Sequence, residues 1–292
     1  MSTESSLRVS ATKFNSESKS DAESLSKVSF LFVGQKESNE YAVTRHSYSE
    51  EVFQIISNYC RESIQDLNLA VDVGCGPGNS TVGFTKHFKQ VIGVDISETQ
   101  IALAPNNIPN CQFKVGSATN LDFLQAGSVD LVASGLAFNL MPQEETLAEF
   151  DRVLRPGGTL AIFGYSIPTA TDPKLHGLLQ KAFIEDLTVL PKQLAMVYEE
   201  YKNLEIPYPG WVRRDGLKVK FMTSMDGLLG AYKVLDRWLG GNKEGGNIEG
   251  HRLRQLRENL AAAFPDSYKH SSRGDFETVF NVFILMGHKP KP

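Results

Sequence analysis

Leu69-Ala-Val-Asp-Val-Gly-Cys-Gly-Pro-Gly-Asn-Ser-Thr81 is the stretch that decides the fold. A short apolar run bounded by glycine reads as a buried parallel strand, interrupted only by Asp72. Gly74, Gly76 and Gly78 follow at alternate positions. They allow a sharp turn and let the backbone approach a ligand with no Cβ in the way. Asn79-Ser80-Thr81 then opens a predicted helix whose free N–H groups favour an electron-rich ligand. Strand, glycine turn and helix together make a nucleotide-type binding edge.

Downstream, the same rhythm repeats. Val91–Ser97, Cys111–Ser117, Val129–Gly135 and Thr159–Tyr165 read as further strands. Ser97 and Gln100 are placed to cap the helix after the second strand, and Pro105 stops it early. Pro142 starts a helix with Leu147, Phe150 and Leu154 on its inner side, and Arg155-Pro-Gly-Gly158 ends it. Upstream, Val52, Phe53, Ile56, Tyr59 and Cys60 mark one face of a helix, with Ser47 and Glu50 as its capping box. Strands alternating with helices imply a parallel sheet with right-handed crossovers.

Beyond Pro168 the pattern changes to helices at about 173–189, 192–204, 225–239 and 248–264, with one alternating strand at 218–222. A nearly unbroken apolar run at 278–286 then supplies a last core strand, so the helices are an insertion of about 168–264 rather than a second domain. The predicted organisation is a Ser-rich disordered tail over 1–29 and one domain over 30–292.

Composition narrows the function. A net charge of −4 gives no polycationic footprint for nucleic acid, and no apolar run is long enough for a membrane span. The tail holds Glu4, Glu17, Asp21 and Glu23 and lacks an apolar core, so it fits neither a mitochondrial nor a secretory leader. A cytoplasmic protein is expected, working as a monomer or homodimer. Cys60, Cys75 and Cys111 are isolated and the six His form no ligand cluster, so no metal is expected.

Two acids flank the glycine turn. Asp95 ends the second strand, where a carboxylate can accept both hydroxyls of an adenosine ribose; a turn aspartate is the alternative. The dinucleotide signature Gly-x-Gly-x-x-Gly fails here, because the third glycine comes one position early at Gly78. That spacing argues against a pyrophosphate-bearing cofactor. Tyr198-Glu-Glu-Tyr-Lys202 matches the Tyr-x-x-x-Lys of short-chain dehydrogenases, but the glycine spacing those enzymes need is absent.

Val71-Asp-Val-Gly-Cys-Gly-Pro-Gly78 instead resembles the first motif of class I S-adenosylmethionine-dependent methyltransferases. The resemblance continues through Gly93-Val-Asp-Ile-Ser97, Gly116-Ser-Ala118, Ser128-Val-Asp-Leu-Val132 and Val153-Leu-Arg-Pro-Gly-Gly-Thr159. Tyr41-x-x-x-Arg45, Ile162-Phe-Gly-Tyr165 and Leu228-Leu-Gly-Ala-Tyr232 with Trp238 are similar to the methyltransferase type 11 group related to trans-aconitate methyltransferases. The resemblance implies a Rossmann-like α/β fold: a seven-stranded, mostly parallel sheet in the order 3-2-1-4-5-7-6, the last strand antiparallel, with helices on both faces.

It also implies S-adenosyl-L-methionine as cofactor and a small-molecule methyl acceptor. Gly74, Gly76 and Gly78 would pass under the cofactor, Asp72 would take its ammonium group and Asp95 its ribose. Ile96 would cover adenine, Ser117 and Ala118 would meet the adenine edge, and Ser134 and Gly135 would lie near the reactive methyl. Arg45 is either a partner for the cofactor carboxylate or a solvated surface arginine. Asn139 and Leu140 stand where the group has His-Trp, and with Trp238 they are the candidate substrate residues. The missing His favours an acceptor that is already ionised, hence O-methylation of a carboxylate. N-methylation of a small amine and a non-catalytic cofactor-binding protein are the alternatives.

Overall fold

A computed structural model describes residues 48–184, 192–238 and 250–292. The tail over 1–29, Tyr41 and Arg45 lie outside the described residues. Strand β1 (Leu69–Val73) is enclosed on both faces and pairs in parallel with β2 (Gln90–Asp95) and β4 (Val129–Gly135). Beyond β2 lies β3 (Cys111–Val115), and beyond β4 lies β5 (Leu154–Tyr165), both parallel. Strand β8 (Phe276–His288) runs antiparallel to β5, with Phe163 opposite Ile284. Its other side takes β7 (Val212–Thr223), and the two-residue β6 (Thr169–Ala170) continues the line of β5 along it. Counted without β6, the order is the expected 3-2-1-4-5-7-6. Among the described residues no helix is long and apolar enough to cross a membrane.

Helix α1 (Glu50–Ser63) covers one sheet face with Val52, Phe53, Ile56, Tyr59 and Cys60, all buried as the 3.6-residue period requires. Its cap differs from the expected box. Ser49 is the N-cap without a side-chain bond, and Glu50 instead reaches Lys86 Nζ at 2.7 Å and His87 Nε2 at 3.0 Å. Helix α2 (Thr81–Phe84) is a single turn, so no helix of useful length opens after the glycines. Gly83 sits in that turn because a Cβ there would lie 2.1 Å from the Phe53 ring. Helix α3 (Glu98–Ile101) is equally short, capped by the Ser97 Oγ on the Gln100 backbone N–H at 3.3 Å. Helix α4 (Gln143–Val153) packs on the opposite sheet face through Phe150 and Val153.

The segment between β5 and β8 builds a third apolar cluster of its own. Helices α5 (Pro173–Ile184), α7 (Met225–Trp238) and α8 (His251–Ala263) bury Leu175, Leu179, Leu228, Tyr232, Leu256 and Leu260 against one another. Helix α6 (Lys192–Tyr198) ends sooner than its apolar pattern suggested, because Glu200 and Tyr201 take φ values of 54° and 52°. Helix α9 (Pro265–Lys269) links α8 to β8.

Asp130 ties the sheet's start together. It is 2% exposed, accepts the Leu69 N–H at 2.8 Å, and lies 2.6 Å from Arg155 Nε. Asp130→Ala strands these partners and the Asn68 N–H that it also accepts, so urea titration of the variant should show a loss of about 2–4 kcal/mol with little change in the slope; a loss below about 0.5 kcal/mol would mean that the clamp is idle.

Candidate functional site

The ends of β1, β2, β3 and β4 meet at one edge, where strand order reverses on either side of β1. In open α/β sheets ligands bind at this switch point. The three glycines leave β1 with φ values of 75°, 55° and 88°, all left-handed. A Cβ on Gly74 would sit 2.4 Å from that of Ala137, so the loop after β4 presses on the turn. A Cβ on Gly78 would sit 2.5 Å from the Phe113 ring, which also lies 2.6 Å from where Gly93 would carry one. The early third glycine is therefore explained by packing: it makes room for Phe113. Gly76 is different. A Cβ there meets only Gln100 Oε1 at 3.7 Å and otherwise open space. This is the cradle that a ligand would use.

The acids are both drawn into the turn. Asp72 is fully buried, and its Oδ2 accepts the hydroxyls of Ser80 and Thr81, each at 2.7 Å. Its Oδ1 has no hydrogen-bond partner. Burial pushes the carboxyl up to about 6, against the lowering effect of those hydroxyls. Asp95 accepts the Gly76 N–H on Oδ2 at 2.8 Å and the Ser97 N–H on Oδ1 at 2.9 Å. Its pKa is raised by burial, while these backbone N–H groups pull it down. Beside it, Ile96 is 69% exposed, a large apolar side chain held open at the strand end. Ser117 bonds Thr119 at 2.9 Å, and Ala118 packs on the core beneath. Ser134 is fully buried at the tip of β4, its hydroxyl unpartnered, next to Gly135. The edge thus brings Asp72, the glycines, Asp95, Ile96, Ser117, Ala118, Ser134 and Gly135 together.

The expected substrate residues fall differently. Asn139, in the turn Phe138–Leu140, is buried; its Oδ1 accepts the Tyr201 hydroxyl at 2.6 Å and its Nδ2 donates to the Gln193 carbonyl at 3.1 Å. Its amide therefore fastens the loop after β4 to the segment around α6. Leu140 is half-buried beside it. Trp238 ends α7, and its side chain lies outside the described groups. The residue that sequence reasoning missed is Gln100. It is 2% exposed, and neither atom of its amide has a partner. Its spacing from Ser97 made it look like a capping residue, and nothing in the sequence separates that role from a buried amide facing Gly76.

An orphaned amide, an orphaned hydroxyl and a glycine cradle fit an adenosine-bearing cofactor that offers both donors and acceptors. Among the described residues no group of three His, Cys, Asp or Glu is placed to hold a metal ion.

Comparison with known proteins agrees. Residues 71–162 match the family model for a methyltransferase domain. A chain of Dictyostelium discoideum named as a methyltransferase is 27% identical over 256 residues, 86% of this chain and 93% of that one. The demethylmenaquinone methyltransferase of Beutenbergia cavernae is 31% identical over 196 residues, 66% of this chain and 76% of that one. The trans-aconitate 2-methyltransferase of Azoarcus is 34% identical over 124 residues, 41% of this chain and 47% of that one. A solved structure from Anaeromyxobacter dehalogenans described as a type II methyltransferase shares the fold, with a TM-score of 0.66 and 23% identity over 85% of this chain and 99% of that one.

The two inner glycines should separate by assay. Gly76→Ala costs about 1–2 kcal/mol for the left-handed backbone but weakens S-adenosylmethionine binding by calorimetry about tenfold or more. Gly78→Ala adds the Phe113 clash and should lose about 1–3 kcal/mol more in stability. Equal effects on both readouts would show that Gly76 lines nothing. Asp72 makes a pH prediction. Its folded pKa of about 6 lies above the ordinary 3.8, so its contribution to stability falls as pH rises from about 4 to about 6. Asp72→Asn should remove that slope, gaining on the wild type as pH rises; parallel stability curves for the two proteins would refute the desolvated carboxyl.

Proposed function

We propose an acceptor class for a chain that belongs to the class I S-adenosylmethionine-dependent methyltransferases: a small molecule whose nucleophile is a carboxylate oxygen. The carrying observation is the make-up of the loop at the tip of β4. Ser134-Gly-Leu-Ala-Phe-Asn-Leu140 contains no ionisable side chain, and the amide of Asn139 is already committed to Tyr201 and Gln193. A hydroxyl or an ammonium acceptor would need a base there; a carboxylate is anionic at pH 7 and needs none. The likeness to the Azoarcus trans-aconitate 2-methyltransferase over 41% of the chain supports the same reading.

The cofactor supplies an electrophilic methyl on a sulfonium sulfur. The chain's own part is alignment and exclusion of water. Gly76 brings bare backbone alongside the cofactor, Asp95 holds the Gly76 loop in place, and Ile96 offers an apolar cover for adenine. Ser134 and Gly135 border the point of transfer, with the Tyr48 hydroxyl 3.3 Å from where a Cβ on Gly135 would sit. As the O–C bond forms and the S–C bond breaks, the acceptor's negative charge is cancelled by the lost sulfonium charge, so a low-polarity pocket built of such groups favours the step.

The test is to incubate the purified protein with a metabolite extract and S-adenosylmethionine labelled in the methyl group. A carboxyl ester releases labelled methanol in mild alkali, and that is the expected result. An alkali-stable product would instead assign transfer to a hydroxyl, nitrogen, sulfur or carbon, and no labelled product at all would point to a protein that binds the cofactor without transfer.

A further inference from the structure

Tyr201 lies just past the end of α6, and from there it grips the loop that leaves β4. Its hydroxyl donates to Asn139 Oδ1 at 2.6 Å and accepts the Asn139 backbone N–H at 3.2 Å. Asn139 Nδ2 returns the link by donating to the Gln193 carbonyl at 3.1 Å. The Tyr201 ring also meets Phe283 edge-on, with centroids 5.3 Å apart. Phe283 in turn crowds Leu136, since an atom of each comes within 2.6 Å of where Gly164 would carry a Cβ. The loop is therefore held at Leu136 and at Asn139, and Tyr201 stands behind both. The backbone shows what this grip costs. Among the described residues the non-glycine residues with left-handed backbone are Leu136, Glu200 and Tyr201, at φ values of 51°, 54° and 52°. Such backbone is strained for any side chain, and it persists only where the surroundings impose it. All of it lies in the two segments that the Tyr201–Asn139 pair joins.

The same loop bears on the glycine turn. Ala137 Cβ lies 2.4 Å and Met141 Cε 2.8 Å from where Gly74 would carry a Cβ. A loop that shifted would therefore disturb the turn, or the border that Ser134 and Gly135 make with the point of transfer. We propose that Tyr201 is a positioning residue for methyl transfer. Through Asn139 it fixes the loop after β4 against the glycine turn, and so sets the line on which the acceptor approaches the methyl group. It does this without touching acceptor or cofactor. Alignment is the chain's own contribution to the displacement, and a misplacement of about 1 Å can cost about a hundredfold in rate. This rests on methyl transfer from the cofactor and is independent of the acceptor class.

The test compares wild type, Tyr201→Phe, Asn139→Ala and the double variant in the labelled-extract assay, with S-adenosylmethionine varied and rates normalised to folded protein. Tyr201→Phe keeps the ring on Phe283 and removes only the hydroxyl. Its maximal rate should fall about tenfold or more. Its KM for S-adenosylmethionine and its calorimetric Kd for S-adenosylhomocysteine should stay within about twofold of wild type. Asn139→Ala should lose rate to a similar extent. The double variant should fall no more than about twofold below either single one, because the two residues act as a unit. A maximal rate in Tyr201→Phe within about twofold of wild type, or losses that multiply in the double variant, would overturn the role of Tyr201. So would a loss of rate matched by an equal loss of S-adenosylhomocysteine affinity, which would make the tyrosine a support of the glycine turn alone. A wild type that yields no labelled product of any kind would overturn the transfer on which the role rests.

Discussion

The backbone has to leave β1 through three left-handed residues in five positions, and everything at the working edge is arranged around that demand. Only glycine takes such angles without strain, but the three positions are used for unlike ends. Gly74 admits the loop after β4, Gly78 admits the Phe113 ring, and Gly76 faces space. The turn would be floppy if glycine alone defined it. It is pinned by carboxylates instead: Asp72 holds the hydroxyls of Ser80 and Thr81 beyond the turn, and Asp95 holds the Gly76 N–H within it.

Two buried acids on neighbouring strands show how the same residue type is put to different purposes. Asp130 meets a guanidinium and two backbone N–H groups, so its charge is compensated where the strands begin. Asp72 meets only hydroxyls, and its carboxyl is left with a raised pKa where the strands end. The first arrangement is a strut. The second keeps a carboxyl at the glycine edge without exposing it to solvent.

Much of this was legible in the residues. Buried strands with glycine after them, acids at strand ends and an apolar final strand reflect one-dimensional patterns, and these marked the strands and the parallel α/β class; the strand order came with the resemblance to the methyltransferase family. What escaped was set by contacts across the sequence. The glycine within α2 answers to Phe53, whose ring leaves no room for a Cβ in that turn. The end of α6 depends on the left-handed Glu200 and Tyr201, which no propensity signals. Asn139 looked like a substrate contact by position, but Tyr201, sixty-two residues on, takes its amide. Gln100 is the clearest case, because a helix-capping glutamine and an orphaned one have the same spacing, and only burial tells them apart.

Strand β8 comes last among the described elements yet lies inside the sheet, with β5 and β6 along one side and β7 along the other. As the chain emerges from a ribosome, β1 to β5 can assemble early, since each finds a neighbour already made. Strand β7 pairs only with β8 and must wait, with its lysines and arginines at 213, 214, 218 and 220 keeping the idle strand from pairing elsewhere. The cofactor edge can therefore be complete while the far half of the sheet is still unmade. Biosynthesis of this protein should pass through a state in which the glycine edge exists before β7 and β8 have paired.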